Sequence, residues 1–259
     1  MNIFFAINSN YVMPLCVALT SILENNEAVI HFFILNSSLT NEDKAKINKV
    51  INSYSNAKLE FVLVDDSAFS KFSSNINYIS QEAYFRYLIP SLKQDIDKAL
   101  YLDADLVVNS NIKPLYDIDV KDYYCAGVRD LFINSYKVKI GLKSADLYIN
   151  SGVMLLNCKK LREDAIEDKL FENNIKYNEV AHFQDQDIIN ITFKGKIKEL
   201  DSIYNFATYN VKTEEDKLNN AVIIHLTGEF KPWLDNCWNK LKPVWVKYYE
   251  TYLNKFANN

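Results

Sequence analysis

Strand-length apolar runs that alternate with helix-period segments constrain this chain more than any other feature of its sequence. The runs fall at residues 3–7, 31–35, 59–64, 99–102, 152–156 and 221–226. Between the first two, Leu15, Ala18, Leu19, Ile22 and Leu23 share one helical face after Pro14. Thr40 and Asp43 then have the spacing of a capping box that opens a helix running through Val50. A strand followed by a helix and another strand must cross over, which sets the strands parallel. The expectation is an α/β fold, a sheet covered by helices. At 259 residues and 49% hydrophobic content the chain can fill such a core. It carries no internal repeat and no Pro/Gly/Ser-rich linker, so one domain over residues 1–259 is expected. The stretch 241–256, rich in Trp, Tyr and Lys, reads as a closing helix packed on the body, with a membrane-surface helix as the other reading.

Charge and cysteine usage exclude several classes of function. The 29 basic and 33 acidic residues are interspersed and sum to −4, so no basic field awaits nucleic acid. The N-terminal MNIFFAINSN has no basic segment ahead of a long apolar one, and nowhere do about 18 uncharged apolar residues run together. A cytoplasmic protein is the expectation. Cys16, Cys125, Cys158 and Cys237 lie far apart without C-x-x-C spacing, which suggests buried thiols rather than a disulfide or zinc site.

The string LYLDADLVV, residues 100–108, ends an apolar run with two acids one residue apart. Extended chain would project Asp103 and Asp105 to the same side, at the carboxyl end of a central strand, where open α/β sheets gather their ligands. Two carboxylates aimed at one point repel unless a cation lies between them. The plainer alternative is a helix cap or a solvated pair. None of the five glycines forms a phosphate-binding glycine loop, so a bound diphosphate would need a metal to neutralise it. Mg²⁺ and Mn²⁺ both suit carboxylate oxygens, and an imidazole ligand would favour Mn²⁺. His225 closes the run AVIIHL, with Gly228 and Lys231 three and six residues on: a ligand, a flexible turn and a cation close together. His31 and His182 lack such context and read as structural. Two further clusters carry polar groups of the kind that recognise sugars. Asn150 and Ser151 stand just before the run 152–156, and Asp185, Gln186 and Asp187 open an expected helix. The helix dipole alone would also favour those acids.

Taken in order, FAINSNY, YFRYLIP, YLDADLVV, INSGVMLLN, FQDQDIIN and HLTGEFKPW resemble the motifs of glycosyltransferase family 8 over nearly the whole chain. The resemblance implies a GT-A type, Rossmann-like domain with a mixed central sheet flanked by helices. It also implies transfer of glucose or galactose from a UDP-sugar, with retention and Mn²⁺ (Mg²⁺ as the substitute), to a glycan or lipid-linked acceptor such as bacterial lipopolysaccharide or another surface glycan. By position, Asp103, Asp105 and His225 would bind the metal, and Ala6, Asn8, Asn10 and Tyr11 would line the uridine pocket. Gly228 and Lys231 would meet the diphosphate, and Arg86, Asp130, Asn150, Ser151, Asp185 and Gln186 would surround the donor sugar. Relatives often have an aspartate where Asn8 stands, which touches base preference. The long basic tail that some bacterial members use at membranes is also missing, so peripheral contact at the inner membrane face stays open.

Two routes would give retention: a covalent intermediate on Asp185 or Asp187, or same-face attack with Gln186 supporting the anomeric region. The resemblance favours the second. The string D-A-D-L-V also fits a haloacid-dehalogenase-like Mg²⁺ phosphatase with Asp103 as nucleophile, and a sugar-nucleotide-binding protein without turnover fits every motif. The stretch 132–147, between two site motifs, is the expected acceptor surface.

Overall fold

In the computed structural model, residues 1–70, 72, 80–133, 136–212 and 214–257 are described. Residues 134 and 135 of the expected acceptor stretch lie outside the described residues. Ten strands are present among the described residues: β1 (Asn2–Ala6), β2 (Ile30–Asn36), β3 (Ala57–Leu63), β4 (Lys98–Leu102), β5 (Leu106–Val108), β6 (Cys125–Arg129), β7 (Ile149–Asn157), β8 (Ile197–Leu200), β9 (Phe206–Ala207) and β10 (Ile223–His225). The helices are α1 (Val12–Glu24), α2 (Asn41–Ile51), α3 (Ile89–Leu92), α4 (Lys113–Tyr116), α5 (Cys158–Glu163), α6 (Ile166–Tyr177), α7 (Asp185–Thr192) and α8 (Lys242–Tyr252).

Seven strands form the central sheet in the order β3-β2-β1-β4-β7-β6-β8. The expectation of parallel strands needs one correction. β3, β2, β1 and β4 are parallel to one another, whereas β7 pairs antiparallel with both β4 and β6, and β6 is again parallel to β8. The sheet is therefore mixed, with β7 as its reversed member. A second sheet, β5-β10-β9, stands beside it.

Side-chain alternation divides the core between the two faces of the large sheet. Ile3 and Phe5 of β1 pack on one side with Phe32, Ile34 and α1, while Phe4, Phe33 and Leu35 point to the other. Both sides are dry: Ile3, Phe4 and Phe5 are fully buried. Each such side chain contributes roughly 2–3 kcal/mol of hydrophobic stabilisation. The face predicted for α1 is buried, and so is every other residue from Leu15 to Leu23, because α1 is enclosed by the sheet and by α8. The capping box forms as expected, with Asp43 N donating to Thr40 Oγ1 at 3.1 Å and Thr40 N to Asp43 Oδ2 at 3.1 Å. α8 closes the molecule. Its Trp245 and Tyr248 are buried in a cluster with Val17, and the Tyr248 hydroxyl accepts from Asn25 Nδ2 at 2.9 Å. Cys16, Cys125 and Cys158 are buried free thiols, but Cys237 is only half-buried, because its loop lies at the surface ahead of α8. No helix of the described residues is long and apolar enough to cross a membrane.

Candidate active site

Strand register builds the centre of the site. Asp103 follows the last residue of β4, and its N–H donates to Gly152 O at 2.8 Å, continuing the β4–β7 ladder by one step. Ala104 and Asp105 form a bend, not the extended chain expected, because the polypeptide passes here from the large sheet into β5 of the small one. In the small sheet His225 lies opposite Leu106, and Leu226 N donates to Asp105 O at 3.0 Å. The pairing of β5 with β10 thus sets the imidazole beside the acid 120 residues away.

The two carboxylates and the imidazole converge, with one ligand atom from each of Asp103, Asp105 and His225 lying within 4.8 Å of the others. His225 Nε2 is 3.1 Å from Asp105 Oδ1 and 3.8 Å from Asp103 Oδ2, while its Nδ1 is 3.0 Å from Asn205 Oδ1. Asp103 Oδ1 accepts from Arg86 Nη2 at 3.0 Å and from the Tyr101 hydroxyl at 2.8 Å, which aims Oδ2 at the imidazole. Asp105 Oδ2 is paired with the buried Lys231 ammonium. Burial opposes charge on Asp105, yet Lys231 and His225 outweigh it and hold the carboxyl below its ordinary range. Gly152 supplies the room. A Cβ built there would stand 2.3 Å from His225 Cε1 and 2.5 Å from Asp103 Oδ2.

A cavity of about 730 Å³ opens over this cluster, at the carboxyl ends of β1 and β4. Its walls include Ala6, Tyr11, Arg86, Asp130, Asn150 and Ser151, and also Asp185, Gln186, Gly228 and Lys231. Tyr11 is braced edge-on by Trp233 at 5.7 Å, and Gly228 turns the chain after β10 at a φ of 93°, where a side chain would strain the backbone. Arg86 ties three elements together. Its Nη1 donates to Ser151 O at 2.8 Å and lies 3.3 Å from Asp185 Oδ2, and its guanidinium lies over the Tyr101 ring at 4.2 Å. Burial raises the Asp185 carboxyl to about 6 despite that arginine. Burial likewise raises Asp130 and Asp187 above the ordinary carboxylate range.

Three expected site residues stand elsewhere. Asn8 and Asn10 do not line the cavity: Asn8 caps the short turn after β1, with Oδ1 accepting from Asn10 N at 3.1 Å and Nδ2 donating to Glu82, and Asn10 is exposed. Asp187 is fully buried and turned away. Its oxygens accept from the hydroxyls of Tyr148 at 2.5 Å and Tyr136 at 2.6 Å and from Phe183 N at 2.8 Å. One helical residue apart, Asp185 and Gln186 face the cavity while Asp187 points into the core. Asn150 and Ser151, expected just ahead of a strand, are within β7. Gln184, directly before α7, has a φ of 49°, backbone strain placed where the chain turns the helix start toward the cavity. Sequence reading missed Asn205, a fully buried residue in a short turn after β8, and the cavity wall around Thr208 and Tyr209. His182, as expected, packs outside the cavity against Tyr136 and Phe183.

A mixed α/β sheet with a cavity over the carboxyl ends of its central strands, floored by two acids and an imidazole, defines a ligand-binding class at a topological switch point. Residues 2–237 match the model of Glycosyl transferase family 8, and the chain belongs to that family. It is 36% identical over 250 residues to a Haemophilus influenzae protein assigned provisionally as a glycosyltransferase, covering 92% of this chain and 74% of that one. It is 29% identical to a lipopolysaccharide 1,2-glucosyltransferase of Escherichia coli, covering 90% of this chain and 73% of that one. Other relatives are longer, and the chain spans 61% of the Streptococcus pneumoniae glycosyltransferase GlyF. Among solved structures it resembles the galactosyltransferase LgtC in complex with donor and acceptor sugar analogues. The TM-score is 0.88 at 30% identity, over 97% of this chain and 96% of that one. Family membership leaves the phosphatase reading of D-A-D-L-V without support.

Proposed function

We propose that this glycosyltransferase moves glucose or galactose from a UDP-sugar to a glycan or lipid-linked acceptor, with retention of configuration, using Mn²⁺ with Mg²⁺ as substitute. One observation carries the reading: Asp103, Asp105 and His225, from two different sheets, present ligand atoms within 4.8 Å of one another beside the cavity. Two carboxylates and an imidazole are a donor set that suits Mn²⁺. A divalent cation bound there supplies Lewis-acid stabilisation to a leaving diphosphate. The remaining work belongs to side chains. Lys231 adds a buried positive charge next to Asp105, and Tyr11 with Ala6 offers the base a flat apolar wall. Arg86, Asp130, Asn150, Ser151 and Asp185 form a hydrogen-bonding surface for the sugar hydroxyls. Gln186 stands in that surface with its amide oxygen accepting from Asn150 Nδ2 and Ser151 N, each at 3.1 Å.

Same-face attack is the route the side chains favour. Both Asp187 oxygens are hydrogen-bonded inside the core, and Asp185 is tied to Arg86 and Ser151. Neither is a free nucleophile. The lipopolysaccharide glucosyltransferase and the galactosyltransferase among its relatives support a hexose and a surface-glycan acceptor. Phe132, 78% exposed at the cavity wall, begins the surface on which that acceptor would lie.

The test titrates UDP, UDP-glucose, UDP-galactose and simple phosphate esters with and without Mn²⁺ and follows slow donor hydrolysis. Metal-dependent UDP-sugar turnover, abolished in Asp103→Asn and in Asp105→Asn, is the expected result. Full activity in either variant removes the metal assignment, and tight binding without turnover makes this a sugar-nucleotide-binding protein.

A further inference from the structure

A metal-binding histidine works through one ring nitrogen, and the group on the other nitrogen decides which one carries hydrogen. In His225 the outer partner is Asn205, whose amide could offer Nδ1 either an oxygen or an NH₂ group. A chain of polar groups decides which. At its far end Asp130 Oδ2 accepts from Gln186 Nε2 at 3.2 Å. Gln186 Oε1 is fixed, because it accepts at 3.1 Å from Ser151 N, a backbone group that can only donate. The same oxygen accepts from Asn150 Nδ2 at 3.1 Å. Asn150 Oδ1 then accepts from Gly152 N at 3.1 Å, a second donor-only group, and from Asn205 Nδ2 at 2.9 Å. With its NH₂ so engaged, Asn205 turns Oδ1 toward His225 Nδ1 at 3.0 Å.

We infer that Asn205 is a positioning residue that keeps the hydrogen of His225 on Nδ1, so that Nε2 is the nitrogen that presents a lone pair to the cation. This rests on the metal reading given above for Asp103, Asp105 and His225. The need for such a device is plain in the geometry. Asp105 Oδ1 lies 3.1 Å from Nε2 and, as an anion, draws hydrogen to that nitrogen in the neutral ring. Asn205 opposes this pull from the other side. It is fully buried, so in the native site no solvent competes with it for Nδ1. The chain also links the donor-sugar surface to the metal ligands: Gln186 and Asn150, which border the cavity, set the direction of the amide that holds the imidazole.

Only three histidines occur in the chain, so ring ¹⁵N spectra of histidine-labelled protein resolve the question directly. They are recorded on the full chain, metal-free at alkaline pH and again with Mg²⁺. Wild-type His225 is expected to show a hydrogen-bearing Nδ1 and a bare Nε2. Asn205→Ala is expected to move the hydrogen to Nε2 and to weaken Mn²⁺ binding about tenfold or more, the usual effect of losing a partner of a metal-bound histidine. Asn205→Asp, which keeps an acceptor oxygen for Nδ1, is expected to restore the wild-type ring pattern. Unchanged signals from His31 and His182 certify the fold of each variant. A wild-type ring with hydrogen on Nε2, or an Asn205→Ala ring that keeps it on Nδ1, overturns the inference. A wild-type protein with the bare Nε2 but no Mn²⁺ binding overturns the metal reading and leaves the hold of Asn205 on the ring standing.

Discussion

Gly152→Ala is the smallest change that tests whether Asp103 and His225 must meet at one point. The new methyl would lie 2.3 Å from His225 Cε1 and 2.5 Å from Asp103 Oδ2, where ordinary contact begins near 3.4 Å. Relief requires His225 and Asp103 to retreat by about 1.1 and 0.9 Å, or Gly152 to move by as much, against hydrogen bonds that hold His225 to Asn205 and Asp103 to Arg86 and Tyr101. A metal site tolerates ligand shifts of only about 0.2 Å, so Mn²⁺ affinity is expected to fall about a hundredfold, or roughly 2.7 kcal/mol. Overpacking also costs stability, by about 1–3 kcal/mol, and that part must be separated. Gly127→Ala does so. Its Cβ would meet Ile149 Cδ1 at 2.5 Å, in the same sheet but between β6 and β7, without touching a carboxylate or imidazole. Calorimetric Mn²⁺ titration with thermal unfolding of both variants is the assay. Both are expected to lose stability, and only Gly152→Ala its metal affinity. Wild-type Mn²⁺ affinity in Gly152→Ala, or equal loss in the two variants, refutes the reasoning.

Asp185 predicts a pH dependence of stability. Its folded carboxyl titrates near 6 against 3.8 for the free group, chiefly because it is buried. The folded state therefore holds a proton that the unfolded state releases, and stability falls as pH rises from about 4 through 6. That difference corresponds to about 3 kcal/mol, so denaturant unfolding of wild type should lose that much across the window relative to Asp185→Asn. Parallel stability curves for the two proteins would show that Asp185 is not the group responsible. Asp187 and its neighbour should separate structure from chemistry. Asp187→Asn sets an NH₂ group against at least one of three donors and should cost about 1–3 kcal/mol in thermal unfolding while surviving protein still turns over donor. Gln186→Ala should lower turnover in donor assays at saturating UDP-sugar. Loss of all turnover in soluble, folded Asp187→Asn would return that carboxylate to the chemistry.

The acids and the imidazole were legible because each ends an apolar run, and charge at such a place needs a partner. Helix α2 was legible from its caps. Strands β6 and β8 were not: CAGVR and IKEL are short, and Ile197, Lys198 and Glu199 at the sheet edge are too exposed to carry an apolar pattern. Asn205 gave no local signal at all. Its meaning comes from the approach of Asn150 and His225, which are brought together by two different sheets. Asn8 shows the converse. Two residues past β1, it read as a base contact from the resemblance alone, and the fold gives its side-chain oxygen a local task, accepting from the backbone N–H of Asn10 in the turn that follows.

The reversed direction of β7 was present in the sequence in another form. Three strands that run toward the cavity lead into a polar residue there: β4 into Asp103, β6 into Asp130, and β10 ends on His225. In β7 the order is the reverse, with Asn150 and Ser151 preceding Gly152 through Leu156. A sheet that gathers its ligand at one end can place polar side chains at that end of a strand whatever the chain direction. Asn150 and Ser151 at the start of β7 therefore fit a strand that enters from the ligand side, antiparallel to β4 and β6. The polar pair Asn150 and Ser151 was read as standing just ahead of a strand. Its polarity fits instead the strand starting at the cavity, and it is this reversal that brings Gly152 opposite Asp103 and leaves room for His225 between the two sheets.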